Sequence, residues 1–276
     1  MRLGLAIGPD VPARFELARQ MGAKGLMVFA EEVRGDGSVE ALHRRFADEG
    51  LEIAQVGCWS FNPAAATEAG IAEVRRAIDL AAGAGRACTV VFGAGGLHPT
   101  NPWAAHPDNW TPDARQKVAR AVRPLARAAE RAGVRLVLEP HLVNVARDGP
   151  TTRELLDRIG SPSVGVCADL VNYCTFAGLW DNRALIDSVL GPLAGRCFAA
   201  HLKDVALEER LIIHMNECPA GQGRMDFVHL LRRLSEALAR DDWAIVEHTP
   251  PDVLGEAVQY VKDKGREAGV ELEWTR

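Results

Sequence analysis

A (β/α)8 barrel is the fold that this chain of 276 residues predicts. Three observations lead to it. Eight short apolar runs alternate with eight longer stretches rich in Ala, Leu and Arg at helical spacing. Glycine-bearing stop signals close several of those helices just before the next strand. No low-complexity linker or break in composition divides the chain, so one α/β domain spanning 1–276 is expected.

The first strand is RLGLAIG (2–8), and the helix expected over 12–22 ends at MGAKG. GLMVFA (25–30) is the second strand, followed by a helix over 38–49 that EGLE closes. LEIAQVGCW (51–59) leads to a helix over 64–84 stopped by GAGR, and CTVVFGAG (88–95) to one over 112–132 stopped by RAGVR. VRLVLEPH (134–141) and VGVCADL (164–170) supply the fifth and sixth strands, with helices over 151–159 and 182–194. CFAAHLKD (197–204) and WAIVEH (243–248) complete the set, with helices over 226–240 and 252–268. A doubly wound open sheet would have fewer strands and a glycine-rich phosphate loop after the first; IGPDVPAR (7–14) has no G-x-G-x-x-G pattern. The longest irregular stretches, 93–112 and 205–225, follow the fourth and seventh strands, on the face where a barrel's βα loops build its active site.

Composition narrows the function. The chain is 47% hydrophobic and 25% charged, with a net charge of −5 and a pI near 5.9. That balance argues against nucleic-acid binding, which needs clustered cations. The most basic stretch, RAVRPLARAAERAGVR (120–135), reads as the solvated face of a helix. Six cysteines at 58, 88, 167, 174, 197 and 218 form no C-x-x-C pair and suit buried thiols in a reducing compartment. MRLGLAIGPDVPARFE is too short in its apolar part for a secretory signal, and no segment reaches the ~18 apolar residues of a membrane span. A cytoplasmic location without membrane contact is the expectation.

The strand ends carry the chemistry. VLEPH, VCADL, AAHLKD and IVEH place Glu139, Asp169, His201 and Glu247 at or near the ends of strands five to eight, which are neighbours in a barrel. A single acid at a strand end caps a helix or pairs with a loop cation as readily as it binds a metal, but four polar ends on consecutive strands point to one centre. Three carboxylates brought together in a partly dry pocket repel without a cation between them. Three oxygens and one nitrogen suit Mn²⁺ first, then Mg²⁺, Co²⁺ or Zn²⁺, and the absence of a thiolate argues against structural zinc.

LVLEPH, GVCADL, AHLKD, PAGQGRMDF (219–227) and IVEH, in that order, with AQVGCW (54–59) as a softer match, resemble the sugar phosphate isomerase/epimerase family, whose fold is a xylose isomerase-like TIM barrel. The resemblance covers essentially the whole chain. It implies that Glu139, Asp169, His201 and Glu247 are metal ligands, and that Glu139 and Glu247 stand on opposite sides of a sugar, sugar acid or polyol as acid/base residues. The activity it implies is isomerisation or epimerisation through an enediolate.

Neighbouring residues follow from parity and position. His141 and Lys203 share a strand face with Glu139 and His201 and are expected to touch substrate, whereas Asp204, of opposite parity, is expected to fix its loop. Trp59 and Asn62 are candidates for a stacking face and a hydroxyl contact. The fourth loop, with His98, Asn101, Trp103, His106 and Asn109, reads as a lid with one or two substrate contacts. In PAGQGRMDF, Gly221 and Gly223 permit close backbone approach, Asp226 is a helix N-cap, and Arg224 is a candidate substrate contact.

The sequence departs from the family at Asn172. Isomerase and epimerase members commonly carry Asp-x-x-His after the sixth strand, where this chain has Asp169-Leu170-Val171-Asn172. An amide cannot shuttle protons, which brings forward a lyase of the same barrel family: a dehydratase, or a 3-keto-glycoside deglycosidase acting by β-elimination with a small second subunit. An endonuclease IV-like nuclease would need more histidines than the 8 present and a basic face. A non-catalytic sugar-binding barrel would bind metal without turnover. A homo-oligomer is compatible with the fold.

Overall fold

The computed structural model describes residues 1–11, 13–33 and 38–274. Residue 12, the first of the helix expected over 12–22, residues 34–37, just before the helix expected over 38–49, and residues 275–276, the last of the span 1–276, lie outside the described residues.

Eight parallel strands close into a barrel in a single domain. In chain order the elements are β1 (Arg2–Leu5), α1 (Arg14–Gln20), β2 (Gly25–Phe29), α2 (Ser38–Glu49), β3 (Glu52–Gly57), α3 (Glu68–Ala84), β4 (Thr89–Gly93) and α4 (Pro112–Ala132). They continue with β5 (Arg135–Glu139), α5 (Gly149–Ile159), β6 (Val164–Asp169), α6 (Phe176–Trp180), α7 (Asn182–Leu190) and β7 (Cys197–Leu202). A hairpin of β8 (Asp204–Glu208) and β9 (His214–Cys218) precedes α8 (Phe227–Ala237), β10 (Trp243–Val246) and α9 (Leu254–Ala268). Strand β10 pairs with both β7 and β1, which closes the ring.

Local chemistry sets the boundaries. At the start of α4 the Thr111 hydroxyl accepts from the Ala114 N–H, Pro112 occupies the first turn, and Gly133 ends the helix in the left-handed region at φ 69°. In α5 the Asp148 side chain accepts from the Thr151 N–H in a reciprocal capping box.

Two apolar layers hold the fold. One lies between strands and helices; the other fills the barrel with Met27, Ala54, Val91, Val137, Cys167, Ala199, Trp243 and Ile245. Glu139, Asp169, His201 and Glu247 each stand two residues beyond a member of that inner layer, namely Val137, Cys167, Ala199 and Ile245. The two-residue period of a strand therefore turns all four toward the barrel axis at its C-terminal end.

The stretch 205–225, expected to be irregular, contains the antiparallel β8–β9 hairpin, whose strands pair with each other outside the barrel. Its second strand is mostly exposed, so no apolar alternation marks it. Helix α6, five residues long, was likewise outside the expected elements.

Candidate active site and metal centre

Backbone register brings the four strand ends together. Asp169 pairs with His201, Glu139 with Gly93, and the Glu247 N–H extends the ladder by donating to the Leu202 carbonyl. The result is a buried cluster in which one ligand-capable atom from each of Glu139, Asp169, His201 and Glu247 lies within 4.8 Å of the others.

His201 Nδ1 faces the acids, 3.0 Å from Glu247 Oε2 and 3.4 Å from Glu139 Oε1. Its Nε2 lies 2.7 Å from Gln55 Oε1, and Gln55 Nε2 donates to Thr89 Oγ1 at 3.0 Å. The amide oxygen can only accept, so His201 carries a proton on Nε2 and presents Nδ1 to the cluster. Gln55, fully buried in β3, was missed in the sequence; its signal was a lone amide inside an apolar strand.

Lys203 is the cluster's own cation. Its Nζ lies 2.8 Å from Asp169 Oδ2, 2.8 Å from Glu247 Oε1 and 3.3 Å from Glu217 Oε2. Burial opposes its charge, but Asp169, Glu247 and Glu139 outweigh burial and hold its pKa above the ordinary lysine value. Burial pushes Asp169 up to about 7, against the pull of Lys203. Glu247 is drawn well below the usual carboxylate range: burial raises it, but His201 and Lys203 prevail. For His201, burial favours the neutral ring, but Cys167, Glu247 and Glu139 reverse the sign and raise its pKa.

These residues fit a divalent ion. Three carboxylates and an imidazole nitrogen, all buried, converge with one protein cation among them. Asp169 Oδ2 has no hydrogen-bond donor aligned on it, although the Lys203 ammonium is close. An oxygen-rich set with one nitrogen suits Mn²⁺, Mg²⁺ or Zn²⁺.

Above the cluster opens a cavity of about 650 Å³. Its polar wall holds Glu139, His141, Asn172, Lys203, Glu217, Glu247 and His248; its apolar wall holds Met27, Phe29, Trp59, Trp103 and Pro250. His141 is pushed down by burial and by Lys203, which favours a neutral ring. Asn172 Nδ2 donates to Glu139 Oε1 at 2.9 Å, so this amide orients a member of the cluster as well as lining the cavity. Trp103 alone of the fourth-loop candidates lines the cavity. Asn109 instead ties the Leu97 N–H to the Val143 carbonyl, while His98 and His106 accept from loop N–H groups.

Two of the expected substrate contacts are not brought to this cavity. Arg224 is exposed and lies over the Trp180 ring, 4.8 Å from its centroid, outside the cavity lining, because the PAGQG segment turns its backbone toward Asp204. Asn62 caps the short turn after β3, accepting from the Ala64 and Gly96 N–H groups and donating to the Gly96 carbonyl, and lies outside the cavity lining. Asp204 does fix its loop: fully buried, it accepts from the Val205, Met225 and Gly221 N–H groups.

Glu217 and His248 were also missed. Glu217 Oε2 lies 2.8 Å from His248 Nδ1, and His248 adopts φ 48°, a left-handed conformation that costs a non-glycine residue about 1–2 kcal/mol. The hydrogen bond from His248, with Lys203 assisting, lowers Glu217 to about 2, and Glu217 in turn raises His248. No spacing links residue 217 to 203 or 248; only the hairpin does.

The chain matches the family model described as xylose isomerase-like TIM barrel over residues 15–264. No curated protein sequence matches it. Among solved structures, the IolI protein with a bound zinc atom is 18% identical, at a TM-score of 0.71 over 97% of this chain and 98% of that one. A xylose isomerase-like TIM barrel protein from Mycobacterium smegmatis in complex with magnesium is 18% identical, at 0.71 over 96% and 95%. The 3-keto-D-glucoside 4-epimerase YcjR from E. coli is 16% identical, at 0.71 over 95% and 99%. Among the described residues no helix is long and apolar enough to cross a membrane.

Proposed function

Because the chain belongs to the xylose isomerase-like TIM barrel family, we propose that it is a divalent-metal-dependent isomerase or epimerase acting on a sugar, sugar acid or polyol. The observation that carries this reading is the buried set Glu139, Asp169, His201 and Glu247, within 4.8 Å of one another under an open cavity. A divalent ion held there supplies a Lewis acid for charge that develops on a substrate oxygen.

The chain's own groups divide the remaining work. Glu247 has both oxygens occupied, Oε1 by Lys203 and Oε2 by His201, so it is an anchor before it is a base. Glu139 has only Oε1 engaged, by Asn172 and His201; among the described residues Oε2 has no partner. Glu139 is therefore the group best placed to accept a proton from carbon, with Asn172 holding the carboxylate in line. Lys203 offsets negative charge at the base of the site, and His141 lines the cavity beside it. Trp59 and Trp103 exclude water from one side.

A second reading is a lyase of the same family, either dehydratase or 3-keto-glycoside deglycosidase. The amide of Asn172 supports it: it orients Glu139 and cannot deliver a proton to the opposite face, as a two-base epimerisation requires.

Metal content by mass spectrometry, on protein purified without chelator, tests the centre. About one Mn²⁺, Zn²⁺ or Mg²⁺ per chain, lost in His201→Ala, is expected. Keto-sugars incubated with the loaded protein in D2O should gain deuterium beside the carbonyl, and Glu139→Gln should abolish the exchange with the fold intact. A wild type that takes up no ion after reconstitution, or a Glu139→Gln variant with full exchange, overturns the proposal.

A further inference from the structure

The cavity is two-sided in a way the metal centre does not require. Trp59 and Trp103 form one side, with ring centroids 6.1 Å apart and planes tilted by 60°. Trp59 stands against His201 at the base, 6.4 Å between ring centroids, and Trp103 continues the wall outward to solvent. Both indoles occupy space left by glycines at strand ends. A Cβ on Gly57 would sit 2.8 Å from Trp59 Nε1, and one on Gly93 would sit 2.7 Å from Trp103 Cη2. Alanine at 93 would press on the Trp103 indole, and alanine at 57 on the Met27 methyl as well as the Trp59 indole, so both rings pack against the barrel rim although Trp103 belongs to the loop after β4.

The polar side is closed to anions. Among the described residues Lys203 is the one Lys or Arg in the lining, and three carboxylates already face its ammonium. His248 is matched by Glu217. With Glu217 matched to His248, the charges of Glu139, Asp169 and Glu247 balance those of Lys203 and a divalent ion, so no net positive charge is left over. A phosphate or carboxylate on the ligand would enter a partly dry site with no uncommitted side-chain cation among the described residues to meet it.

We propose that the ligand is an uncharged glycoside-like molecule, with a hydroxylated ring over the metal centre and an apolar, ring-sized substituent against Trp59 and Trp103. The inference rests on the reading of the pocket as a metal-dependent sugar site. A volume of about 650 Å³ lies in the range of sites that enclose drug-sized ligands, and leaves room beside a single sugar ring.

The test is calorimetric titration of the metal-loaded protein with methyl β-D-glucopyranoside, phenyl β-D-glucopyranoside and glucose 6-phosphate, with bound metal measured on the same samples. The phenyl glycoside should bind about ten-fold more tightly than the methyl one, as one aromatic contact provides. The phosphate ester should bind no more tightly than the methyl glycoside. In Trp103→Ala the two glycosides should come within about two-fold of each other. Equal binding of both glycosides, no binding of either, a preference for the phosphate ester, or a phenyl preference that survives Trp103→Ala overturns the inference while a bound metal leaves the proposed function standing. Protein that takes up no metal overturns the function instead, and the phenyl-to-methyl ratio still judges the aromatic wall.

Discussion

Replacing Gln55 with Met removes the acceptor behind His201 at nearly constant volume, so the effect reads the hydrogen bond rather than a cavity. Gln55 is fully buried, 2.7 Å from His201 Nε2 through its oxygen and 3.0 Å from Thr89 Oγ1 through its nitrogen. In the variant the Nε2–H of His201 has no partner in a dry site, which costs about 1–3 kcal/mol, and the lost bond to Thr89 adds about 1 kcal/mol. The metal-free protein should therefore lose about 2–4 kcal/mol in urea denaturation. A ring no longer tied through Nε2 can place its proton on Nδ1, the nitrogen that faces the acids. Loss of such a partner typically weakens metal binding about 10–100-fold, or ~1.4–2.7 kcal/mol. Competition with a chelating dye for Zn²⁺ or Mn²⁺ measures this directly. Gln55→Glu keeps an acceptor, and the Thr89 hydroxyl can turn to donate to it, so this variant should recover most of the affinity. A Gln55→Met protein with metal affinity within about two-fold of wild type and an unchanged urea midpoint would refute the role assigned to the amide.

Lys203→Met leaves Asp169 and Glu247 without their cation, and the metal-free protein should lose about 3–5 kcal/mol. Added Mn²⁺ should raise the melting temperature of the variant more than that of the wild type; an equal rise would show that lysine and metal do not share the same carboxylates. Glu217 gives a pH test. Its pKa in the fold, about 2, lies below the ordinary 4.5, so its pairing with His248 adds stability above pH 4.5 that is lost as pH falls toward 2. In His248→Gln the ¹³C carboxyl titration of Glu217 should move up toward 4.5; an unmoved midpoint would assign the shift to Lys203 alone.

The barrel was legible because each strand is a compact apolar run. The eight barrel strands fall inside the eight expected ranges, and α4 spans the expected 112–132 because Thr111, Pro112 and Gly133 mark its ends. The four-residue cluster was legible for a related reason: charge at the end of a run covered on both faces needs a partner, and the two-residue period points it along the axis. Parity also placed Lys203 inward and Asp204 toward its loop. What escaped depends on distant contacts. Gln55 offered one polar letter within AQVG, and its partner lies on β7. Glu217 reaches the cavity on a hairpin whose exposed second strand carries no periodic signal. Arg224 lies outside the cavity lining, since proximity to glycines in sequence does not say which way the loop faces.

The hairpin also bears on how such a protein diversifies. Its strands hydrogen-bond to each other and not to the barrel ladder, yet one of them delivers Glu217 to the cavity wall. Lengthening, shortening or exchanging 205–218 therefore leaves all eight barrel pairings intact while it rewrites one side of the entrance. Selection, or a designer grafting segments between barrels, can vary what enters the site without renegotiating how the chain folds.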